Sequence, residues 1–189
     1  MPGTLQVGGN TVLTHTGDAG AGTNTINSAV VFPAGHVIAT YQSAKTGTQA
    51  IANSWVLITD LTLTITPKLT PTKFLITAMI SHGSVGGSEG MRIRIYKNGA
   101  ELTAATGDAS GSRLRVFMHL GANAGGGELQ TGTGVYLDSN TGSSNVTYAI
   151  YAKGHSGNYT TYVNQGETES DSVNSSRAIS TLTIQEIVP

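Results

Sequence analysis

The sequence predicts an all-β protein: an antiparallel, jelly-roll-like β-sandwich with an extended N-terminal arm. Three observations predict this fold class. Apolar and polar residues alternate over many short segments, turn residues separate these segments at regular intervals, and no segment shows a convincing helical period. The 189 residues are enough for one domain with a core, and a charged fraction of only 11% disfavours a disordered chain.

Residues 1–35 are predicted to form the arm. They are rich in Gly, Thr and Asn, and their apolar residues come in brief groups such as Leu5 and Val7. So little apolar surface cannot offset the entropy that is lost when a chain is ordered. We therefore expect the arm to pack on the body of the chain, on sister subunits or on a larger assembly, with a disordered tail as the alternative. Residues 36–189 are then the sandwich domain.

The clearest strand pattern spans residues 55–80. In its first run, threonines alternate with apolar residues from Leu61 to Ile65, and a second alternating run follows the connector between Pro67 and Pro71. Alternation with a period of two is the pattern of a strand with one buried and one exposed face. The two runs are predicted to be neighbouring antiparallel strands joined by a tight turn.

Eight further strands are predicted in the rest of the domain. They cover residues 37–45, 91–97, 100–105, 113–120, 134–138, 146–153, 159–165 and 178–187. Asn98-Gly99 is the strongest two-residue hairpin signal, because both residues tolerate the positive φ of a type I′ turn. No repeat of 20–50 residues is present, which disfavours a solenoid or a propeller.

No motif in the chain predicts catalytic residues, a metal site or a cofactor. The sequence has no cysteine, and its five histidines lack the short spacings of paired metal ligands. The segment GDASGS, residues 107–112, is similar in letters to a nucleophile elbow, but no helix is predicted after it. Neither a carboxylate pair for glycoside hydrolysis nor a phosphate-binding loop with its lysine is evident.

The charge and hydropathy patterns also argue against two classes of partner. A net charge of −1 does not provide the broad positive potential that drives nucleic-acid binding. No apolar run is long enough to span a bilayer, and the opening residues lack the pattern of a signal peptide. We expect neither nucleic-acid binding nor membrane insertion.

Two groups of residues are candidates for intermolecular contacts. The first contains the densest basic residues and one acidic neighbour: Arg92, Arg94, Arg113, Arg115 and Asp108. Each arginine pair has i, i+2 spacing on a predicted strand and should share one face. Inter-subunit contacts, intramolecular salt bridges with Asp108 or Glu101, and binding of an anionic glycan are the open alternatives.

The second group lies late in the chain and combines aromatic rings with amide and carboxylate groups. Its members are Asn158, Tyr159, Tyr162 and Glu167, and we predict a surface-recognition role for them, because such side chains suit carbohydrate or protein contacts. Tyr148 is in phase with apolar neighbours and is predicted to lie in the core. The glycine-rich segments 83–90 and 121–127, and segment 159–172, are the candidate loop tips.

Several segments, in their order, resemble virion structural proteins of tailed bacteriophages, of the tail-fibre type. They are WVLITDLTLTITPKLTPTKFLI, the RIYKNG hairpin, TGDASGSR, TTYVNQ and the closing SRAISTLTIQEI. The opening LQVGGNTVLTHTG and FPAGHVI resemble segments that precede this domain in longer fibre proteins. The resemblance implies a trimeric β-sandwich head, similar to the jelly rolls of complement C1q and tumour necrosis factor.

The resemblance also implies a function. We expect a non-enzymatic structural protein, made in the host cytoplasm and located in the virion, that forms a homotrimer and contacts other virion proteins of the tail or capsid through its arm. A host-surface glycan is a further candidate partner. A capsid decoration protein that stabilises the phage head is the alternative, and an enzyme acting on surface glycans is a third, weaker one.

Overall fold

The computed structural model of the protein describes residues 3–17, 21–26, 32–84, 90–121, 129–155, 160–166, 170–173 and 175–189. The chain divides into two units, Met1–His36 and Val37–Pro189. Among the described residues, the regular structure is almost entirely antiparallel β-strand, and no helix has the length and hydropathy that a membrane span requires. The predicted all-β fold class is confirmed.

The N-terminal unit contains a three-stranded antiparallel sheet. Its strands, in spatial order, are β1 (Gly3–Val7), β2 (Asn10–Thr16) and β3 (Thr23–Ile26). Gly8 and Gly9 join the first two strands with φ angles of 58° and 81°, a conformation that glycine adopts at no steric cost. None of the unit's described residues is buried, and Leu5 and Val7 are 56% and 64% exposed. The docking or trimerisation role of this segment stays a prediction.

The C-terminal unit is a sandwich of two antiparallel sheets. Its strands are β4 (Val37–Lys45), β5 (Gln49–Ile51), β6 (Val56–Ile65), β7 (Thr72–Ser84), β8 (Met91–Lys97), β9 (Ala100–Glu101), β10 (Met118–Leu120), β11 (Gln130–Asn140), β12 (Val146–Gly154), β13 (Thr161–Val163) and β14 (Ser180–Ile187). One sheet has the order β10–β8–β12–β6, with β9 paired to β8. The other has the order β4–β14–β7–β13–β5, with β11 paired to β7. We call them the five-stranded and the six-stranded sheet.

The core lies between the two sheets and is formed by alternate residues of each strand. Strands β12 and β14 alternate strictly between buried and half-buried positions. Ile93 and Ile150 from one sheet and Ile76 and Ile184 from the other are fully buried. Tyr148 is also fully buried, as the phase of its neighbours predicted.

The predicted hairpin over residues 55–80 is wrong in its pairing. Both runs are strands, β6 and β7, but β6 pairs with β12, whereas β7 pairs with β11, β13 and β14. The connector therefore crosses from one sheet to the other, and the Glu186 carboxylate accepts hydrogen bonds there from the amides of Lys68 and Leu69, at 2.7 and 3.1 Å. Alternation identifies the buried face of each strand, and these two faces meet across the core instead of lying side by side.

The predicted strand 113–120 is mostly a loop. Only Met118–Leu120 is strand, and the loop before it is closed by a hydrogen bond from the Gly107 amide to the Val116 carbonyl, at 3.3 Å. The predicted strand 100–105 is likewise shortened, because β9 ends at Glu101 and a 3-10 helix, Thr103–Ala105, follows. The Asn98-Gly99 turn is confirmed, with φ angles of 52° and 82°.

The residues that flank segments 85–89, 122–128 and 156–159 lie at one end of the sandwich. In the six-stranded sheet His82 pairs with Gln130 and Val163, and in the five-stranded sheet Met91 pairs with Leu120 and Gly154. Those three segments, which include most of the predicted loop tips 83–90 and 121–127, are themselves outside the described residues. At the opposite end, Val37 pairs with Ile187, which in turn pairs with Lys73. Val37, the first residue of the C-terminal unit, therefore lies at the end of the sandwich opposite to the strand ends at His82 and Met91.

Candidate functional site

Arg92 and Arg94 lie on the outer face of the five-stranded sheet. In β8, buried apolar residues alternate with half-buried ones, so both arginines point away from the core, as their spacing predicted. The two side chains nevertheless have different surroundings. Arg94 is fully engaged within the chain, whereas Arg92 has no acidic partner among the described residues.

Arg94 is held by three groups at once. Its Nη1 donates a hydrogen bond to Glu101 Oε2 at 2.6 Å, which is also an ion pair, and its Nε and Nη2 donate to the Arg115 carbonyl at 3.0 and 2.8 Å. Its guanidinium lies 4.3 Å from the centre of the Trp55 ring. A charged group with this many internal partners ties β9 and the loop before β10 to the sheet, which is a structural role.

Arg113 and Arg115 do not share a strand face, since both lie in the loop before β10. Arg115 Nε donates to the Gly107 carbonyl at 2.6 Å, and Arg113 Nη1 donates to Ser110 Oγ at 2.7 Å. These contacts hold the loop together. Asp108 forms no ion pair with any arginine in the described parts of the chain. The predicted basic group is therefore dispersed, and a role between subunits stays a prediction.

Arg92 is instead part of a row of basic side chains that crosses three neighbouring strands. It lies directly opposite Lys153 of β12 on one side and His119 of β10 on the other. Its Nη1 donates to the His155 carbonyl at 2.9 Å, which fixes the guanidinium in place. Partial burial, and then the positive charge of Arg92, lower the pKa of His119. We call Arg92, Lys153 and His119 the basic row.

Two tyrosines lie beside the basic row on the same outer face. The rings of Tyr96 and Tyr151 stack at 3.9 Å between centroids, and Tyr151 is directly opposite Arg94. Both rings are half-buried, and neither hydroxyl has a hydrogen-bond partner among the described residues. This grouping could not be predicted, because the strand register that brings Tyr96, Tyr151 and Lys153 to Arg92 cannot be deduced from alternation.

The second predicted group is mostly outside the described residues. Asn158, Tyr159 and Glu167 fall there, whereas Tyr162 is a half-buried residue of β13 opposite Gly83 and Ala50. A surface-recognition role for these four residues stays a prediction. Close to them in sequence, a polar cavity of about 330 Å³ is lined by Gln165, Gly166, Asp171, Arg177 and four serines. Its described lining contains no histidine that could act as a base.

A buried polar cluster joins the two sheets. Asp138 Oδ2 accepts hydrogen bonds from Lys97 Nζ at 2.6 Å and from the Tyr148 hydroxyl. Burial, and then the hydrogen bond to Asp138, raise the pKa of Tyr148 far above its ordinary value. The Tyr148 ring also meets Phe74 edge-on at 5.7 Å. The Lys97 ammonium and the Tyr148 hydroxyl both donate to the same carboxylate oxygen, so this cluster stabilises the contact between the two sheets.

The outer face of the six-stranded sheet has a different character. Three pairs on β7 and β11 lie side by side: Leu75 with Leu137, Thr77 with Val135, and Met79 with Thr133. We call these six residues the threonine–leucine face. Val135 and Leu137 are 57% and 47% exposed, and no residue of the face is charged. Sequence reasoning did not single out these residues, although the alternation of β7 had placed Leu75, Thr77 and Met79 together.

The described residues contain no group of three or more histidine or carboxylate side chains that could hold a metal ion. Neither a protein-family model nor a curated protein matches the chain. The sandwich presents two outer faces of opposite chemistry, one basic and aromatic and the other uncharged.

Proposed function

We propose that the chain is the β-sandwich head of a non-enzymatic virion structural protein of the tail-fibre type. Three copies assemble through the threonine–leucine face, and the assembled head is carried to the host surface. The N-terminal unit contacts other virion proteins. The resemblance described above supports the virion location and the number of three copies.

The uncharged, exposed threonine–leucine face is the observation that supports assembly. In a cyclic oligomer, residues close to the rotation axis meet their own copies, so a charge there would meet the same charge. The threonine–leucine face has none, and Lys73, next along β7, lies beyond Leu75 at its margin. Leu137 and Val135 leave an apolar surface on it that a second copy would cover.

The edge position of β11 also supports the threonine–leucine face as the interface between copies. This strand of eleven residues pairs with β7 on one side and, within the described residues, with no strand on the other. Its one charged residue, Asp138, is buried, and long edge strands without exposed charges are open to pairing with other chains, which proteins usually prevent. Burial in an oligomer is one such protection.

The threonine-rich strand β6 on the other sheet is a weaker candidate for the interface. Thr62, Thr64 and Thr66 are exposed, but the Thr64 hydroxyl bonds to that of Thr147 at 2.8 Å, and the Thr66 hydroxyl donates to Asn145 at 2.7 Å. These contacts satisfy the polar groups along the surface. Since Leu63 packs against the core and no large apolar side chain lies between these threonines on the outer face, a solvent-facing role fits this strand better.

Native mass spectrometry of the purified protein tests the assembly. The wild type is expected to have the mass of three chains. Val135→Asp combined with Leu137→Asp places carboxylates where copies meet, and like-charge repulsion is expected to give the mass of one chain with an unchanged circular dichroism spectrum.

The matched control is Thr62→Asp combined with Thr64→Asp, which adds the same charge to the other sheet and should leave the trimer intact. A monomeric wild type, or a trimer that persists when Val135 and Leu137 are both replaced by Asp, would overturn the proposed assembly. Labelled protein found on the capsid surface instead of the tail would favour the decoration role.

A further inference from the structure

The geometry points to a binding site for an acidic polysaccharide on the outer face of the five-stranded sheet, at the basic row and the tyrosine pair. The ligand class is a polymer with one carboxylate on each sugar ring. This inference rests on the proposed role at a host surface, and it places the contact on residues other than the late-chain group that the sequence suggested.

The charge of the basic row favours an anionic ligand. Arg92 and Lys153 are directly opposite each other on neighbouring strands, and like charges in that arrangement destabilise a sheet. Neither has an acidic partner among the described residues, whereas the nearby Arg94 is neutralised by Glu101. An unneutralised pair of cations, side by side on a surface of a chain whose net charge is −1, is complementary to an anion.

The basic row is also preorganised for binding. The hydrogen bond from Arg92 Nη1 to the His155 carbonyl holds the guanidinium in place and leaves its other N–H groups for a ligand. Preorganised donors lose less entropy on binding than free side chains do. Lys153, on the next strand, offers three donors of its own.

The spacing of the basic row suits a polymer of acidic sugars. The row runs across the strands, so the backbone positions of Arg92 and Lys153 are one interstrand distance, roughly 4.8 Å, apart. This is about the length of one sugar ring along a polysaccharide, so both cations lie within reach of carboxylates on nearby rings of a single polyuronate chain.

The tyrosine pair favours a sugar polymer over a simple anion. Tyr151 and Tyr96 present half-buried rings and two hydroxyls without partners among the described residues, next to the row. Aromatic rings with a polar end suit the apolar and hydroxylated faces of sugars. The basic row would bind the carboxylates while the tyrosines contact the rings.

Isothermal titration calorimetry with polygalacturonate, at low and at moderate salt, tests the site. The wild type is expected to bind polygalacturonate and not neutral dextran, with affinity falling as salt rises. Arg92→Gln combined with Lys153→Gln should weaken binding at least about tenfold, since each charged hydrogen bond that is lost is among the stronger kind. Lys68→Gln combined with Arg113→Gln, which removes the same charge elsewhere, should bind as the wild type does.

Thermal unfolding of the same variants separates a binding role from a structural one. Loss of the Arg92–Lys153 repulsion should leave the melting temperature unchanged or higher, whereas a structural role for the pair predicts a lower one. Absent binding by the wild type, equal binding of dextran, or full binding by the double variant overturns the inference. Tighter binding of an oligothymidylate also overturns it and assigns the face to nucleic acid.

Native mass spectrometry of the same samples distinguishes failure of the binding site from failure of the proposed assembly. A trimer that does not bind polygalacturonate contradicts only the binding site. A monomer that binds it contradicts only the assembly.

Discussion

His82 shows how one buried residue can set the acid sensitivity of this sandwich. Its side chain is fully buried, and neither ring nitrogen has a hydrogen-bond partner among the described residues. Burial, and then the charge of His119, lower the pKa of His82 to about 4. The folded protein therefore holds this imidazole neutral under most conditions.

We predict that His82 makes the protein less stable as the pH falls. An unfolded histidine keeps a pKa of about 6.5, so between that pH and 4 the unfolded chain binds a proton that the folded one does not. The contribution of neutral His82 to the free energy of unfolding is fully present above pH 6.5. It is lost as the pH falls, and the loss reaches roughly 3 kcal/mol at pH 4. Urea unfolding across this range measures the loss.

The variant that checks this prediction is His82→Leu, which should lose about 3 kcal/mol less stability than the wild type between pH 6.5 and pH 4. Its stability at pH 7 should be unchanged or higher, because no hydrogen bond within the described residues is removed. His36→Leu, at an exposed histidine, is the control and should keep the dependence of the wild type. An equally steep loss in His82→Leu would contradict the account.

At the scale of the single residue, the sequence predicts side-chain direction well and environment poorly. Tyr148 was correctly placed in the core by its phase with its neighbours. Its partner Asp138 was not foreseen, because a buried carboxylate looks like any other polar residue until the strand that faces it is known. Arg92 and Arg94 illustrate the same limit, since their equal spacing gave no hint that only one of them is neutralised.

At the scale of the element, close approach of β10 and β11 depends on glycine. A Cβ added to Gly134 would lie 2.5 and 2.6 Å from two atoms of the Phe117 ring and 3.1 Å from Met118 Sδ. The ring occupies the space that a side chain on β11 would fill. Glycine is needed here for a contact between sheets and not for a turn.

We predict that Gly134→Val destabilises the sandwich by about 1–3 kcal/mol, the usual cost of overpacking a core. The free energy of unfolding from urea titration is the measurement. Gly142→Ala, at a glycine whose added Cβ would meet nothing within 4 Å, is the matched control and should be close to neutral. Equal stability of the two variants would show that the Phe117 ring moves aside freely.

The strands themselves could largely be predicted, but their partners could not. Alternation gave the existence of β6 and β7 and the correct buried face of each. It could not reveal that they belong to different sheets, because two adjacent strands with apolar faces can pack either edge to edge or face to face. The loop before β10 was missed for a related reason: Arg115 alternates like a strand residue, yet its carbonyl is bound by Arg94.

At the scale of the whole molecule, the sandwich presents two outer faces of opposite chemistry. The threonine–leucine face is uncharged and partly apolar, whereas the outer face of the five-stranded sheet carries the basic row and the tyrosine pair. We propose that this division places self-assembly on one sheet and ligand contact on the other. Neither face could be outlined from the sequence, since each depends on the register between strands that are far apart in the chain.

A cryo-EM map of purified particles that contain the protein would show both how its copies assemble and where they lie in the virion. We predict three copies around a three-fold axis at the tail, with Val135 and Leu137 buried between copies and Arg92 and Lys153 facing outward. A map with this protein on the capsid surface, or with Val135 and Leu137 exposed to solvent in every copy, would contradict the account.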